Sequence, residues 1–454
     1  MPPSTPAVLW FRRDLRLADN PALVEAAADG PVLPLFVLDP ALWEPAGASR
    51  RAYLGASLRA LDASLRERGT RLTVVRGDPA RLVALATRAV GATRVHVAAD
   101  FNPYGSRRDA AVERALAEDG VALVRTGSPY AVAPGRVTNT SGDPYRVFTP
   151  FQRAWAEHGW RGPIEAPDDV AWLALEEDTT EIPDPAPPDG LTLPEAGEAA
   201  ARRRWAEFLD RVGDYAEDRD RPATEGTSRM SAHLKWGEIH PRTMLADLAR
   251  LRTGGAATYR KELAWREFYA DVLHARPETA REYLRPEFAR MQYDEPGAQL
   301  DAWRRGRTGF PVVDAGMRQL LATGWMHNRV RMITASFLVK DLHLEWRHGA
   351  RHFLHWLVDG DLASNQHGWQ WTAGCGTDAA PYFRVFNPTA QGRRFDPQGE
   401  YVRRWVPELA DPDVVVDPHD PSPGERRAAG YPDPIVDHAA ARREALDRWE
   451  RIGP

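Results

Sequence analysis

Tryptophans, carboxylates and basic residues that together could do chemistry are concentrated between Trp325 and Trp371. These 47 residues carry five of the 16 tryptophans of the chain, along with the basic run 328–331 and the carboxylates Asp359 and Asp361. Tryptophan is large and seldom fully buried, so a cluster of this density predicts either a bulky core or an aromatic surface that stacks on flat molecules. We expect both, on different tryptophans.

Helical spacing places polar side chains among the aromatic and apolar ones. Trp325, Asn328 and Met332 lie at i, i+3 and i+7 on one helix face. Glu262 and Trp265 are also three residues apart. Two such faces turned toward one cavity would present an aromatic wall, an amide, a carboxylate and a thioether. An ordinary core stripe is the alternative, but Asn328 and Glu262 weaken it, because a buried polar group costs free energy unless it is paired.

Arg331 and the sequence Asp359-Gly360-Asp361 suit a buried, charge-assisted pair that orients a polar heterocycle. A metal-binding loop and an ordinary solvated turn fit the same residues. Metal is the weaker of these two, since the carboxylates have no third ligand in range, and we predict no metal site. The solvated turn stays open as an alternative.

Hydroxyl groups precede another helical pattern, in the segment 225–231. Its sequence, Glu-Gly-Thr-Ser-Arg-Met-Ser, brings Thr227, Ser228 and Ser231 to the start of that helix. Such residues cap a helix, and a helix N-terminus lined with N–H groups also binds phosphate. Capping alone is the simpler interpretation of the segment by itself.

The net charge of −5 hides an uneven distribution. Residues 163–198 contain eleven Asp or Glu, seven Pro and no Lys or Arg, which leaves 59 basic against 53 acidic residues elsewhere. Nucleic-acid binding depends on a local basic face rather than on net charge, so the composition allows such a face. A Pro-rich acidic segment buries too little apolar surface to fold by itself, and we expect an interdomain linker on the surface.

Length and composition bound the class of protein. A chain of 454 residues exceeds one ordinary core and indicates two or three domains. We find neither an apolar run of membrane-spanning length nor a signal-peptide pattern, and the single cysteine, Cys375, excludes a disulfide framework. The sequence predicts a soluble, cytoplasmic protein without a membrane partner, and we expect a monomer.

Short apolar runs bounded by turn residues alternate with amphipathic helical patterns over residues 1–130. Asn20-Pro21 and Asp78-Pro79 each place a capping side chain before a first-turn proline. The alternation predicts an α/β N-terminal domain with a doubly wound parallel sheet. We expect its strands at 8–11, 32–38, 72–75, 94–98 and 121–124.

The periodicity becomes helical near residue 200, which predicts an all-α second half. The predicted parts are the α/β domain at 1–130, a Pro- and acid-rich linker at 131–199 and a helical domain at 200–454. The first strand ends in Arg-Arg-Asp-Leu-Arg at 12–16, where open α/β sheets bind ligands. A ligand-binding loop and a solvated charged loop are equal alternatives, and the sequence has no glycine-rich phosphate-binding turn to decide between them.

Several motifs, in one order, resemble the DNA photolyase/cryptochrome family. The likeness extends from Trp-Phe-Arg-Arg-Asp-Leu-Arg at 10–16 to about Pro407. It implies an α/β antenna domain joined by a long linker to an all-α FAD-binding domain, in agreement with the organisation predicted above. The motifs are Gly-Thr-Ser-Arg-Met-Ser at 226–231, Trp-Arg-Glu-Phe-Tyr at 265–269, Trp-Met-His-Asn-Arg-Val-Arg-Met at 325–332, Asp-Gly-Asp-Leu-Ala-Ser-Asn at 359–365, Gly-Trp-Gln-Trp at 368–371 and Phe-Asn-Pro-Thr-Ala-Gln-Gly at 386–392.

The resemblance implies light-driven repair of DNA that contains cyclobutane pyrimidine dimers. In the resembling enzymes, FADH⁻ absorbs blue or near-ultraviolet light and donates one electron to a dimer flipped out of the duplex. The cyclobutane ring then splits and the electron returns, so that no net redox change occurs. By the same resemblance FAD would be held by Tyr215, Thr227, Ser228, Arg229, Met230, Ser231, Arg331, Asp359, Gly360, Asp361 and Asn365, the last beside flavin N5.

The resemblance also implies a pocket for the flipped dimer. Two tryptophans would stack on the bases, a carboxylate and an amide would hydrogen-bond the thymine edges, and a methionine would fill the cavity. These catalytic residues are Trp265, Trp371, Glu262, Asn328 and Met332. The flanking DNA phosphates and strand would be bound by Arg219, Arg266, Arg329 and Gln391.

The tryptophan relay that reduces oxidised flavin in this family is matched only in part. Trp369 and Trp346 match two of its members, but the third position, usually tryptophan, is Tyr293. A tyrosine serves as a terminal donor, since losing its phenolic proton leaves a neutral radical. We predict that Tyr293 ends the relay, and that Trp325 and Trp356 serve packing.

Finer assignments also come from the resemblance. Asn328, Met332 and Asn365 resemble class I cyclobutane pyrimidine dimer photolyases rather than (6-4) enzymes or plant-type receptors. Lys235 and the Pro103-Tyr104-Gly105 sequence resemble members that bind an 8-hydroxy-5-deazaflavin antenna, which we favour over methenyltetrahydrofolate. A cryptochrome-type blue-light receptor without repair activity is the main alternative function. A flavin-dependent oxidoreductase is disfavoured, because no general base or nicotinamide fingerprint is found.

Overall fold

A computed structural model describes residues 5–175, 179–377 and 383–453. Its N-terminal part is an α/β domain. The strands and helices of that domain are β1 Ala7–Phe11, α1 Pro21–Asp29, β2 Val32–Leu38, α2 Pro40–Trp43, α3 Ala48–Arg66, β3 Thr73–Arg76, α4 Pro79–Val90, β4 Arg94–Val97, α5 Pro103–Ala117 and β5 Ala122–Arg125.

The sheet confirms the predicted doubly wound topology. Its strands run in the order β3-β2-β1-β4-β5, and every pair is parallel. Strand order reverses on the two sides of β1, so the carboxyl end of β1 lies at a switch point where such sheets bind ligands. Both predicted caps are confirmed: the Asn20 side chain accepts from the Leu23 N–H, and the Asp78 side chain from the Ala80 N–H.

The C-terminal part is helical, as predicted. None of the described helices is long and apolar enough to cross a membrane. Its α-helices are α7 Glu198–Leu209, α8 Tyr215–Asp218, α9 Ser231–Trp236, α10 Pro241–Ala249, α11 Gly254–Ala275, α12 Ala298–Arg305, α13 Pro311–Thr323, α14 Asn328–Lys340, α15 Trp346–Trp356, α16 Leu362–Ala373, α17 Pro388–Phe395, α18 Glu400–Trp405, α19 Pro423–Ala429 and α20 His438–Ile452, and the 3₁₀ turns are Val212–Asp214, Pro277–Ala280, Pro286–Arg290 and Pro407–Leu409. The helix between the two parts is α6, Phe148–His158.

The segment that connects the two parts contains a buried helix and an extended stretch that runs beside the sheet. The helix α6 packs Phe148, Phe151 and Trp155 into the core of the helical part, so this stretch of the predicted linker is buried rather than superficial. Residues 163–175 instead run beside the sheet, where the Val32 N–H donates to the Ala171 carbonyl at 2.7 Å. Part of the predicted acidic linker, residues 176–178, lies outside the described residues.

The charged loop after β1 is not solvated, so that alternative is wrong. Arg12, Asp14 and Arg16 are each at most 9% exposed. Arg16 Nη1 donates to the Gly237 carbonyl at 3.0 Å. Arg13 Nη2 lies 2.6 Å from a carboxylate oxygen of Asp361. The loop therefore joins the α/β domain to the helical domain through paired charges.

A second buried network joins the same two domains around Glu238, which is fully buried. One carboxylate oxygen accepts from Ser57 Oγ at 2.6 Å and from the Gly197 N–H at 2.7 Å. The other accepts from Tyr53 Oη at 2.9 Å and lies 2.5 Å from His233 Nδ1. Four partners from both domains and the linker thus depend on one carboxylate.

We expect the Glu238→Ala variant to lose ~3–5 kcal/mol of the free energy of unfolding, because removing one partner of a buried charged network leaves the others unsatisfied. Urea unfolding followed by circular dichroism measures this loss. Glu207→Ala is the control: Glu207 is an exposed helical glutamate, and such surface changes usually stay within about 0.5 kcal/mol. A Glu238→Ala stability equal to that of the control would contradict the assigned role.

Candidate functional site

Three helices of the C-terminal part meet at one place, since α16 contacts both α11 and α14. Helix α11 carries Glu262 and Trp265 on one face, and α14 begins at Asn328. Met332 follows Asn328 one turn later, and both side chains reach the surface of the packed helices. The structure therefore packs the two helices that carry the predicted faces against the same third helix, α16.

Glu262 is held by a cation at this meeting point. Its Oε1 lies 2.7 Å from Arg219 Nη1, and each side chain is only about a quarter exposed (28% and 27%). Burial raises the pKa of Glu262, while attraction to Arg219 opposes that shift. The carboxyl group is therefore poised between an ion pair and a neutral acid. Arg219, which the family resemblance assigns to DNA phosphates, is committed to Glu262.

Trp265 presents only one face of its ring to the site. Its indole stacks on Phe148 with a centroid distance of 3.7 Å and an interplanar angle of 6°. Phe148 begins α6, so the connection between the domains fixes the orientation of this tryptophan. Trp371, the other predicted stacking residue, is partly exposed near the end of α16. Phe148 gave no sequence signal, since it lies outside every quoted motif.

The predicted DNA-binding residues divide into two groups. Arg329 Nη2 lies 2.8 Å from Asp220, with its guanidinium 4.4 Å from the Phe395 ring centroid, and Gln391 is partly exposed on α17. Arg266 instead donates to main-chain carbonyls of residues 129 and 234 at 3.0 and 3.3 Å, and lies 4.6 Å from the centroid of the Tyr130 ring. Arg266 therefore links helix α11 to the main chain at residues 129 and 234.

The loop before α16 carries two paired carboxylates, of which Asp359 is buried and Asp361 has a side chain only 12% exposed, and this excludes the solvated turn. Asp359 Oδ2 accepts from Arg331 Nη2 at 2.8 Å, as the charge-assisted pair predicts. The other oxygen of Asp359, Oδ1, is buried without a hydrogen-bond partner among the described residues. Asp361 Oδ1 caps α16 through the Ser364 N–H at 3.1 Å, and the cations Arg13 and Lys235 lower the pKa of Asp361 against its burial.

The remaining predicted cofactor residues lie on α16 and around the start of α9. Asn365 Nδ2 donates to the Ala350 carbonyl at 3.2 Å. The Ser228 and Tyr259 hydroxyls are 2.7 Å apart, and the Met230 N–H donates to Ser228 Oγ. Tyr215 and Met230 are buried, Gly360 is buried in its loop, Thr227 is partly exposed, and Ser231 is exposed at the first residue of α9.

Two unsatisfied buried atoms test whether these residues fit FAD. Asp359 Oδ1 lacks a donor, and Arg229 Nε lacks an acceptor. Arg229 has a left-handed backbone with φ of 53°, and its guanidinium lies 4.9 Å from the Trp325 ring centroid. A flavin ring supplies an N–H donor, and a pyrophosphate supplies oxygen acceptors. FAD therefore offers the hydrogen-bond donor that Asp359 Oδ1 lacks and the acceptor that Arg229 Nε lacks among the described residues.

The predicted relay tryptophans are deeply buried. Trp346 is 0% exposed and Trp369 3%. A Cβ on Gly349 would overlap the Trp369 ring, so α15 and α16 approach closely beside these indoles. Tyr293 is partly exposed and lines a small surface cavity with His343 and Arg448.

The predicted antenna residues stand near the carboxyl ends of β2 and β4. Tyr104 donates to Asp39, which follows β2, and a Cβ on Gly105 would overlap the carboxylate of Asp100, which follows β4. Burial and nearby arginines hold the pKa of Lys235 well below its usual range. Asp39 and Asp100 were missed, although their place after parallel strands is a signal of ligand binding.

Comparisons with known proteins cover both parts of the chain. Residues 7–168 match the family described as DNA photolyase, and residues 259–451 match the FAD binding domain of DNA photolyase. The chain is 43% identical to the deoxyribodipyrimidine photo-lyase of Streptomyces griseus and 40% identical to that of Escherichia coli, in each case over 98% of both chains.

Solved structures agree with this result. A bacterial class III photolyase from Agrobacterium tumefaciens superimposes with a TM-score of 0.93 at 37% identity, over 99% of this chain and 98% of the other. A cryptochrome from Synechocystis superimposes with a TM-score of 0.89 at 27% identity, over 98% of this chain and all of the other. With its fold, its site and its full-length relatives in agreement, the chain belongs to the DNA photolyase family.

Proposed function

We propose that this chain is a deoxyribodipyrimidine photo-lyase, which splits cyclobutane pyrimidine dimers in DNA with light. The observation that carries the proposal is the packing of α16 against both α11, which carries Glu262 and Trp265, and α14, which carries Asn328 and Arg331. Because Arg331 pairs with Asp359 in the loop before α16, residues suited to base stacking and hydrogen bonding lie on the helices around residues that fit FAD.

The residues that hold the cofactor have separable tasks. When bound, reduced FAD supplies the light absorption and the single electron that opens the cyclobutane ring. Arg331 donates to one oxygen of Asp359, so that the other oxygen, Oδ1, is left as an acceptor for a ring N–H. Arg229 presents its unpaired Nε to an anion, and the hydroxyls of Thr227, Ser228 and Ser231 offer further polar contacts, with Tyr215 and Met230 packed beneath. Asn365 would face flavin N5, with Gly360 and Asp361 completing the ring site.

On the substrate side, the open face of Trp265 and the partly exposed Trp371 would stack on the two bases of the flipped dimer. Asn328 would donate to a thymine edge and Met332 would fill the remaining space. Glu262 would hold a proton at its Oε1 and share it with the dimer anion. Protonation of Glu262 removes its negative charge and so breaks its ion pair with Arg219.

DNA binding requires basic side chains to meet phosphates. We propose this role for Arg329 and Gln391, which the helices α14 and α17 present beside the site. Arg219, Arg266 and Arg329 would each have to exchange a present partner to reach a phosphate. For Arg219 that partner is Glu262, which belongs to the proposed dimer pocket itself.

The finer classification rests on the same pocket. We propose the class I assignment and keep the division into an antenna part at 1–130, a connection at 131–199 and a catalytic part at 200–454, in a cytoplasmic monomer. The likeness to a cryptochrome at 27% identity favours one rival, a blue-light receptor without repair. Asn328 and Met332 favour repair.

The second chromophore would lie near the carboxyl ends of β2 and β4. We propose an 8-hydroxy-5-deazaflavin rather than methenyltetrahydrofolate, because Lys235 stands there with Tyr104 and Gly105. A lysine nitrogen beside a closely approached glycine offers hydrogen bonds to the polar edge of a flat ring. The absorption spectrum of the purified protein distinguishes the two chromophores.

Repair is tested directly with chemically reduced protein and an oligonucleotide that contains one cyclobutane dimer. We expect illumination to restore the two pyrimidines, as measured by chromatography, and no restoration in the dark. Trp265→Ala should weaken binding of the damaged strand by ~1–3 kcal/mol, the usual worth of one base–aromatic stack. Unchanged dimers after illumination of the wild-type protein would favour the receptor instead.

The pH dependence of repair tests the role of Glu262. Because Glu262 is protonated only below its pKa, we expect repair per absorbed photon to decline as pH rises through that value. Arg219 lowers the pKa of Glu262, so Arg219→Gln should move the decline to higher pH. Glu262→Ala should remove the dependence. A decline at the same pH in wild type and Arg219→Gln would contradict this role.

The photoreduction rate tests the proposed end of the relay. We expect Tyr293→Phe to reduce its flavin more slowly than wild type under blue light with an external reductant, because phenylalanine has no phenolic proton to lose. Flavin absorption followed over time measures the rate. Tyr145→Phe, a change in the connecting segment, should match wild type. Equal rates for Tyr293→Phe and wild type would contradict the assignment.

A further inference from the structure

The indole N–H groups of the relay tryptophans Trp346 and Trp369 are buried without a hydrogen-bond partner among the described residues. Oxidation of either indole therefore leaves a radical cation that keeps its proton, in surroundings where burial disfavours charge. A neighbour that gives up an electron and a proton together would discharge this cation without moving the positive charge to another buried group.

Tyr283, which lies beside Trp346, can give up an electron and a proton together. The two rings form an edge-to-face pair with centroids 6.2 Å apart, and Tyr283 is 6% exposed. The Tyr283 hydroxyl donates to Glu345 Oε1 at 2.8 Å, which is within the reach required of a general base. Burial raises the pKa of Tyr283, so this residue is a phenol at neutral pH.

Arg347 pairs with Glu345, the carboxylate that accepts from the Tyr283 hydroxyl. Its Nη1 lies 2.6 Å from Glu345 Oε1, and its guanidinium lies 4.9 Å from the Tyr283 ring and 5.7 Å from the Trp346 ring. Its Nη2 also pairs with Glu282 at 3.2 Å. A cation over both rings disfavours a second positive charge on either. It therefore favours a neutral phenoxyl over a charged radical, and it holds the Glu345 carboxylate in place beside the Tyr283 hydroxyl.

Tyr283 is also linked to Tyr293. The two phenols are close enough that each contributes to the shift of the other's pKa. Tyr293 in turn lines the small surface cavity. Two phenols and one carboxylate thus form a continuous path from Trp346 toward the surface.

We propose that Tyr283 is a relay residue between Trp346 and Tyr293, with Glu345 as its proton acceptor. The inference rests on the proposed flavin chemistry, in which photoexcited oxidised FAD is the one-electron oxidant at the far end of the tryptophans. Tyr283 gives its electron to the Trp346 radical cation and its proton to the Glu345 carboxylate. The Tyr283 phenoxyl then takes the electron and the proton of Tyr293. The balance is one neutral Tyr293 radical and one protonated Glu345.

The Tyr283→Phe variant tests the electron path, because it keeps the ring and removes the phenol. Oxidised holoprotein is illuminated without DNA, and the tyrosyl radical is measured by electron paramagnetic resonance. We expect the tyrosyl signal to be lost in Tyr283→Phe and retained in Tyr145→Phe, which removes a phenol in the connecting segment. A wild-type signal in Tyr283→Phe would show that Tyr293 reduces Trp346 directly and would overturn the proposal.

Glu345→Gln tests the proton path. In light-minus-dark infrared spectra of wild type, we expect a new carboxylic-acid C=O band, which Glu345→Gln should lose, with radical formation slowed by ~10-fold or more after loss of a charged hydrogen bond. The control is Glu282→Gln, since Glu282 also pairs with Arg347 but is not the carboxylate that accepts from the Tyr283 hydroxyl; this variant should keep the band. Persistence of the band in Glu345→Gln would overturn the role of this acceptor.

Repair separates this inference from the proposed function. Chemical reduction makes the relay unnecessary, so pre-reduced Tyr283→Phe and Glu345→Gln should repair dimers at the wild-type yield. If wild type itself leaves dimers unchanged, the proposed function fails. If wild type repairs them but Tyr283→Phe keeps its tyrosyl signal, only the relay inference fails.

Discussion

Two largely buried carboxylates in one short loop are the constraint on which the site depends. Burying a carboxylate without a partner is costly, and Asp359 is buried while Asp361 is only slightly exposed. Each is paired with an arginine, Asp359 with Arg331 at 2.8 Å and Asp361 with Arg13 at 2.6 Å. One arginine belongs to the helical domain and the other to the loop after β1. The loop that starts α16, and with it Asn365, is therefore positioned by both domains at once.

The fold was predictable where neighbours in sequence decide it, and unpredictable where distant charges do. All five strands and the caps at Asn20 and Asp78 are found where apolar runs and turn residues predict them. The loop 12–16 was undecided between ligand binding and solvation, because its partners Gly237 and Asp361 lie more than two hundred residues away. Charged residues are mostly exposed, and a long-range partner leaves no local pattern that would mark an exception.

The same division holds at the candidate site. Helical periodicity placed Glu262 and Trp265 on one face, because that relation needs only the geometry of a single helix. It could not show that Phe148 covers one side of the Trp265 ring, since that contact joins α6 to α11. Nor could it show that Arg219 neutralises Glu262. Motif resemblance assigned Arg219 by position alone, whereas the partner of a charged group depends on packing.

The tryptophans between residues 325 and 371 show that a buried side chain can also have a function in electron transfer. A buried donor without an acceptor costs ~1–3 kcal/mol, and the chain tolerates this at both Trp346 and Trp369. Packing alone does not require an N–H there, since Phe353 fills space beside Trp369 with an apolar ring. An acceptor does exist close by, but Glu345 takes the hydroxyl of Tyr283 instead. Among the described residues, the proton-accepting contact is made at Tyr283, outside Trp346, and this makes the outward direction the favourable one for positive charge to leave.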